Sequence, residues 1–163
     1  MNAIASSPSV PHHGALRACI QAGLLGGSLD LLYVFLFHGV RGASPERILQ
    51  YIASGLQGKA AFDGGHASAA LGAAAHYFIL IVAAALYLAA SRHLPWLRRQ
   101  AATAGVLYGA AIYTTMNFVI VPLSAASPGQ GSDLARITNL LMHLFVIGPA
   151  IALGLRRWSS PVG

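Results

Sequence analysis

Apolar residues in this chain fall into four long runs, at about 16–38, 68–90, 101–123 and 134–155. Each run holds one strongly polar side chain well inside it: Asp30, His76, Asn117 and His143. Runs of about 22–23 residues, at 1.5 Å per residue, match a hydrocarbon core about 30 Å thick. The pattern predicts an all-α fold, an integral membrane bundle of four transmembrane helices occupying residues 15–158. Residues 1–14, rich in Ser, Pro and His, read as a flexible N-terminal tail, and 159–163 as a C-terminal tail. The first run is too long for a signal-peptide core and contains Asp30, so it is expected to be retained as a helix.

The connection 41–67 carries a helix signal of its own. Ser44 suits an N-cap, Pro45 the first helical position and Glu46 the positive end of the helix dipole. Ile48, Leu49, Ile52 and Leu56 then form an apolar stripe at helical spacing. This predicts a short amphipathic helix that lies at the interface or caps the bundle. The link 91–100 is short and basic, whereas 124–133 holds Pro128, Gly129 and Gly131 but no Lys or Arg. With the N-terminus inside, Arg17, Arg92, Arg98, Arg99, Arg156 and Arg157 face the cytoplasm, against Arg41, Arg47, Lys59 and Arg136 outside. The balance favours both termini in the cytoplasm.

Composition sharpens the class. Of all residues 56% are apolar and 9% charged, against about 25% charged in a soluble domain, so lipid must cover what charge cannot. The net charge of +6 sits at the ends of the apolar runs, which fits headgroups, and no aromatic-interleaved basic patch points to nucleic acid. A single cysteine, Cys19, excludes an internal disulfide.

The small residues predict helix contacts. Gly23 and Gly27 are four apart in the first span, Gly105 and Gly109 four apart in the third, and Gly72 lies on a small-residue face of the second. In lipid, close backbone approach drives association, so these glycines are expected to pack helices, within the chain or in a homo-oligomer or membrane complex. A faint repeat accompanies them. Placing His143 on His76 sets Phe145 on Phe78, Ala150 on Ala83 and Leu155 on Leu88. Span three on span one sets Gly105 on Gly23 and Gly109 on Gly27. A duplicated helical hairpin accounts for both alignments.

The polar residues carry what chemistry there is. Counted from the outer helix ends, Asp30, His76 and His143 lie about 12–13 Å deep and Asn117 about 9 Å deep. Arg136, Asn139 and His143 follow helical spacing down one face of span four, while Tyr33, Tyr113, Thr114 and Thr115 lie nearby. Such a layer is either a hydrogen-bond cluster that fixes helix register or a centre that relays protons or binds a ligand. No cofactor is predicted. His76 and His143 are the residues that a haem or metal would use, but no close-spaced ligand motif is present. His66 with Asp63 is a weaker surface pair, and His12 and His13 belong to the tail. Gly55 to Ala60 lacks phosphate-loop spacing, and no serine elbow or acid pair suits hydrolysis. Pro149 is expected to bend span four.

From Pro45 to Leu123 the chain carries Ile48-Leu49-Gln50, Gly55, Gly58-Lys59, Leu71-Gly72, His76-Tyr77, Tyr108-Gly109, Met116-Asn117 and Pro122. With Asp30, these resemble a family of small bacterial four-helix inner-membrane proteins, a domain of unknown function. The resemblance implies the membrane bundle and no established activity. The expectation is a non-enzymatic membrane or complex subunit with a structural polar layer. The alternatives are a small oligomeric transporter or proton-linked channel using that layer and, further off, a haem or quinone redox protein.

Overall fold

A computed structural model describes residues 12–126 and 132–159. Among these, every regular element is helical. Four helices are long and apolar enough to cross a membrane. The first runs His12–Gly39 and the second Gly65–His93. The third spans Ala101–Leu123 and the fourth Asp133–Trp158. The expected N-terminal tail therefore ends earlier than the composition implies, because the first helix already includes His12–Gly14; the remainder of that tail lies outside the described residues. The C-terminal tail also begins later: Ser159 is buried and its N–H and hydroxyl both bond the Leu155 carbonyl. Residues 160–163 lie outside the described part.

Span one packs along both span two and span four, and span four along span three. The glycines set these contacts. A Cβ on Gly23 would lie 2.6 Å from the Cα of Ile81, and one on Gly27 would lie 2.9 Å from the Tyr77 ring. On Gly105 it would lie 2.6 Å from the Cα of Pro149, and on Gly109 it would collide with the backbone of His143. All four positions are thus consumed inside the chain. Their expected use between copies is corrected: no room is left at them for a second molecule.

The same contacts repeat in both hairpins. The shift that carries Gly23 to Gly105 and Gly27 to Gly109 pairs with the shift that carries His76 to His143. Under these shifts Gly27 against His76 and Tyr77 becomes Gly109 against His143 and Leu144, and Gly23 against Ile81 becomes Gly105 against Gly148 and Pro149. The two alignments were independent in the sequence, and one set of helix registers satisfies both. The pseudosymmetry breaks at Gly26, among other positions. Gly26 lets Ile147 and Ile151 of span four close on span one, the nearest atom 3.0 Å from a Cβ placed there. Its counterpart in span three is Tyr108, whose hydroxyl donates to the Ala83 carbonyl at 2.6 Å and whose ring meets Tyr87 edge-on. The tyrosine holds spans two and three apart where glycine draws spans one and four together.

The short helix Pro45–Gln57 forms as its caps dictate: Ser44 accepts from the Arg47 N–H and Pro45 opens the first turn. Its buried face differs from the apolar stripe. Gln50, Ala53 and Ser54 are buried, while Leu56 is 65% exposed. Gly72 explains the choice, since its missing side chain admits the Leu49 carbonyl and the Ala53 N–H of the crossing helix. Contact at backbone distance favours small residues, so Ala53 and Ser54 face inward. Gln50 then bonds the Gly65 carbonyl at 3.3 Å, and Ser68 donates to Gln57 at 2.7 Å. At its far end the helix reaches span three, where the Ala125 N–H bonds the Gly55 carbonyl at 3.0 Å. It caps the bundle between spans two and three.

Spans three and four each widen into one π-helical turn, Met116–Ile120 and His143–Ile147. Both turns lie on Phe-Val-Ile-X-Pro, at Phe118–Pro122 and Phe145–Pro149. A proline ring crowds the carbonyl four residues back and supplies no N–H to it, and a wider turn relieves both problems. The bend expected at Pro149 thus takes the form of a local widening, and Pro122 produces its twin.

Gly109→Ala is expected to cost about 1–3 kcal/mol, the usual range for overpacking, because only backbone surrounds the new methyl. Gly39→Ala, which meets nothing within 4 Å, serves as the control. Unfolding titrations in bicelles measure both, and equal stabilities would contradict the packing described.

Candidate functional site

Two of the polar residues meet, and a third lies on a turn that packs beside them. Asp30 and His76 approach across the first hairpin with Nε2 4.0 Å from Oδ2, and both side chains are largely buried. Span one also packs on the π-helical turn that His143 opens. The glycines make this possible: Gly27 lets the His76 ring approach the first span, and Gly109 lets the backbone of His143 press on span three.

The hydrogen bonds define the state of each ring. His76 Nε2 lies 3.0 Å from the Gly27 carbonyl, and His143 Nδ1 lies 2.9 Å from the Asn139 carbonyl. A carbonyl only accepts, so each of these nitrogens carries a proton and donates. His76 thereby ties span two to span one, while His143 stays within its own helix. Its ring meets Tyr113 of span three edge-on, with centroids 5.7 Å apart. Asp30 is less well served. Its Oδ1 is buried with no hydrogen-bond partner among the described residues. A buried carboxyl oxygen without a donor is costly, which makes it the least satisfied atom of the layer.

A hydroxyl network flanks the three. Thr138 donates to the Leu134 carbonyl at 2.7 Å, so Tyr33 donates to Thr138 at 2.7 Å and links spans one and four. Ser28 and Tyr77, 3.1 Å apart, link spans one and two.

Asn117 and Asn139 sit apart from the layer. Asn117 is exposed, and its Nδ2 donates to the Tyr113 carbonyl one turn back. At helical spacing this position lies opposite the face that buries Ala101, Ala104 and Ile112, a rotation that depth counting does not register. Asn139 contributes its carbonyl to His143. Arg136, above it, is exposed and pairs with Asp133 at 3.3 Å. The surface histidine His66 pairs with Glu46 at 3.4 Å, where the sequence offered Asp63. Residues that the sequence reading passed over include Gly26 and Gly148. Gly148 had a signal: it directly precedes Pro149, and its own missing side chain admits the Gly105 carbonyl.

Among the described residues no three His, Cys, Asp or Glu side chains form a group able to hold a metal ion. Two clefts mark the surface. One is a small hollow between Tyr87, Leu97 and Leu155, and the other an open apolar groove of about 480 Å³ along Leu32, Leu36 and Met142. Neither is lined by Asp30, His76 or His143. No protein-family profile, curated protein or solved structure matches the chain.

His76→Leu is expected to cost about 1 kcal/mol, the scale of one hydrogen bond between membrane helices, and His76→Gln, which keeps an N–H donor, to recover part of it. Reversible unfolding in bicelles checks the order. Equal stability for all three proteins would contradict the interhelical bond.

Proposed function

We propose that this chain is a non-enzymatic, multi-pass protein of a bacterial inner membrane, a subunit whose Asp30–His76–His143 layer specifies how its helices assemble. The observation that carries this reading is the use of both histidines: each commits a ring N–H to a backbone carbonyl inside a packed layer. Groups held in this way fix register, and neither of the two clefts is lined by them. Four long apolar helices support the membrane assignment. The excess of Arg92, Arg98, Arg99, Arg156 and Arg157 at one end supports cytoplasmic termini.

A second reading, a proton-linked channel or transporter, is favoured by Asp30 Oδ1, which lacks a donor. One proton bound at the carboxyl group would supply it. Proton flux into liposomes containing the purified chain separates the two. A structural layer gives flux no higher than empty liposomes, with Asp30→Asn changing assembly or stability. Flux that Asp30→Asn abolishes while the fold survives would establish the second reading instead.

Orientation has its own test. A reporter active only in the cytoplasm is expected to work when fused after Gly163 and to fail when inserted at 127–131. The reverse pattern would overturn the proposed topology.

A further inference from the structure

Span three is the least covered of the four. Of its most apolar stretch 11% is buried, against 28–33% in the others. Its outer half also carries Asn117, which the structure turns outward. If the membrane reading above holds, this carboxamide lies about 9 Å below the outer helix end, six residues from Leu123. A carboxamide facing hydrocarbon seeks a partner, because lipid tails offer neither donor nor acceptor.

The bonding of Asn117 limits what that partner is. One N–H of Nδ2 goes to the Tyr113 carbonyl at 2.9 Å. Among the described residues nothing else bonds the side chain, so one N–H and the Oδ1 acceptor remain. This remainder is complementary to itself. Two copies inserted with the same topology are related by a two-fold axis along the membrane normal, which sets Asn117 opposite Asn117 at equal depth. Each Nδ2 then donates to the other's Oδ1, and both remaining groups are satisfied at once. A partner of different sequence would need its own polar group at that depth and angle, whereas a second copy supplies it by symmetry.

The surrounding surface allows the approach. Thr103, Leu107 and Thr114 lie below Asn117 on one face at helical spacing, and all three are exposed. The glycine pairs, the other surfaces suited to close contact, are already occupied within the chain. We infer that the chain forms a two-fold homodimer through the outward face of span three, with a reciprocal Asn117–Asn117 hydrogen-bonded pair as its specific contact.

Single-molecule photobleaching of the labelled full chain in liposomes, over a range of protein-to-lipid ratios, tests this. The wild type is expected to be dimeric at high density. Asn117→Leu is expected to weaken dimerisation about tenfold, the effect of losing two interhelical hydrogen bonds. Asn117→Gln, which keeps the carboxamide, should recover most of it. Phe78→Ala, on the exposed side of span two, should change nothing. An independent measurement needs no Asn117 variant: with Cys19→Ser as background, Thr114→Cys should cross-link between copies in native membranes. Resistance to alkaline extraction, read on the same samples, reports insertion separately. An inserted chain that stays monomeric overturns the dimer alone, and a chain that fails to insert overturns the membrane reading with it. Dimers lost on Phe78→Ala but kept on Asn117→Leu, or an Asn117-dependent complex with a different protein, would also overturn the proposal.

Discussion

Backbone-to-backbone contact at glycine is the constraint on which the rest of this structure depends. In a bilayer, burying one more leucine gains little, since the lipid is as apolar as the protein interior. Helices hold together by dispersion over short distances and by the few polar bonds that short distances permit. Gly23, Gly27, Gly105 and Gly109 provide those distances within the two hairpins, Gly26 joins the hairpins, and Gly72 seats the capping helix. The polar layer is a consequence. His76 reaches the Gly27 carbonyl because Gly27 has no side chain in the way.

The repeated registers explain why one fold contains both a tight and an open seam. Equivalent glycines pack each hairpin in the same manner, so neither hairpin needs the other to set its internal geometry. The difference arises where Gly26 faces span four and Tyr108 faces span two. Closing one seam and wedging the other leaves a gap beside span two. The helix Pro45–Gln57 fills its outer part and reaches the end of span three. The extra helix belongs to the first hairpin's connection and completes what the pseudosymmetric pair leaves open.

Much of this was legible in the sequence. Hydrophobic run length gave four helices of spanning size, and Ser44-Pro45-Glu46 marked the start of the capping helix to the residue. Counting depth set Asp30 beside His76, and the two approach to 4.0 Å where Gly27 leaves room for the ring. It failed for Asn117, since depth carries no rotation, and at helical spacing this position lies opposite the face that buries Ala101, Ala104 and Ile112. The two π-helical turns had a signal of their own, in Phe118–Pro122 and Phe145–Pro149, yet a single proline reads only as a bend. The buried face of the capping helix was also hidden. Hydrophobicity pointed to Ile48, Ile52 and Leu56, whereas the space vacated by Gly72 selected Ala53 and Ser54.

The central claim is that glycine contacts bring Asp30 against His76, beside the turn that His143 opens. Magic-angle-spinning NMR of the labelled chain in lipid bilayers addresses it directly, through correlations from the Asp30 carboxyl carbon. Cross-peaks to the imidazole nitrogens of both His76 and His143, both weakened in Gly27→Val, are the predicted result. A carboxyl signal with contacts to water and lipid headgroups and to neither ring would contradict the account.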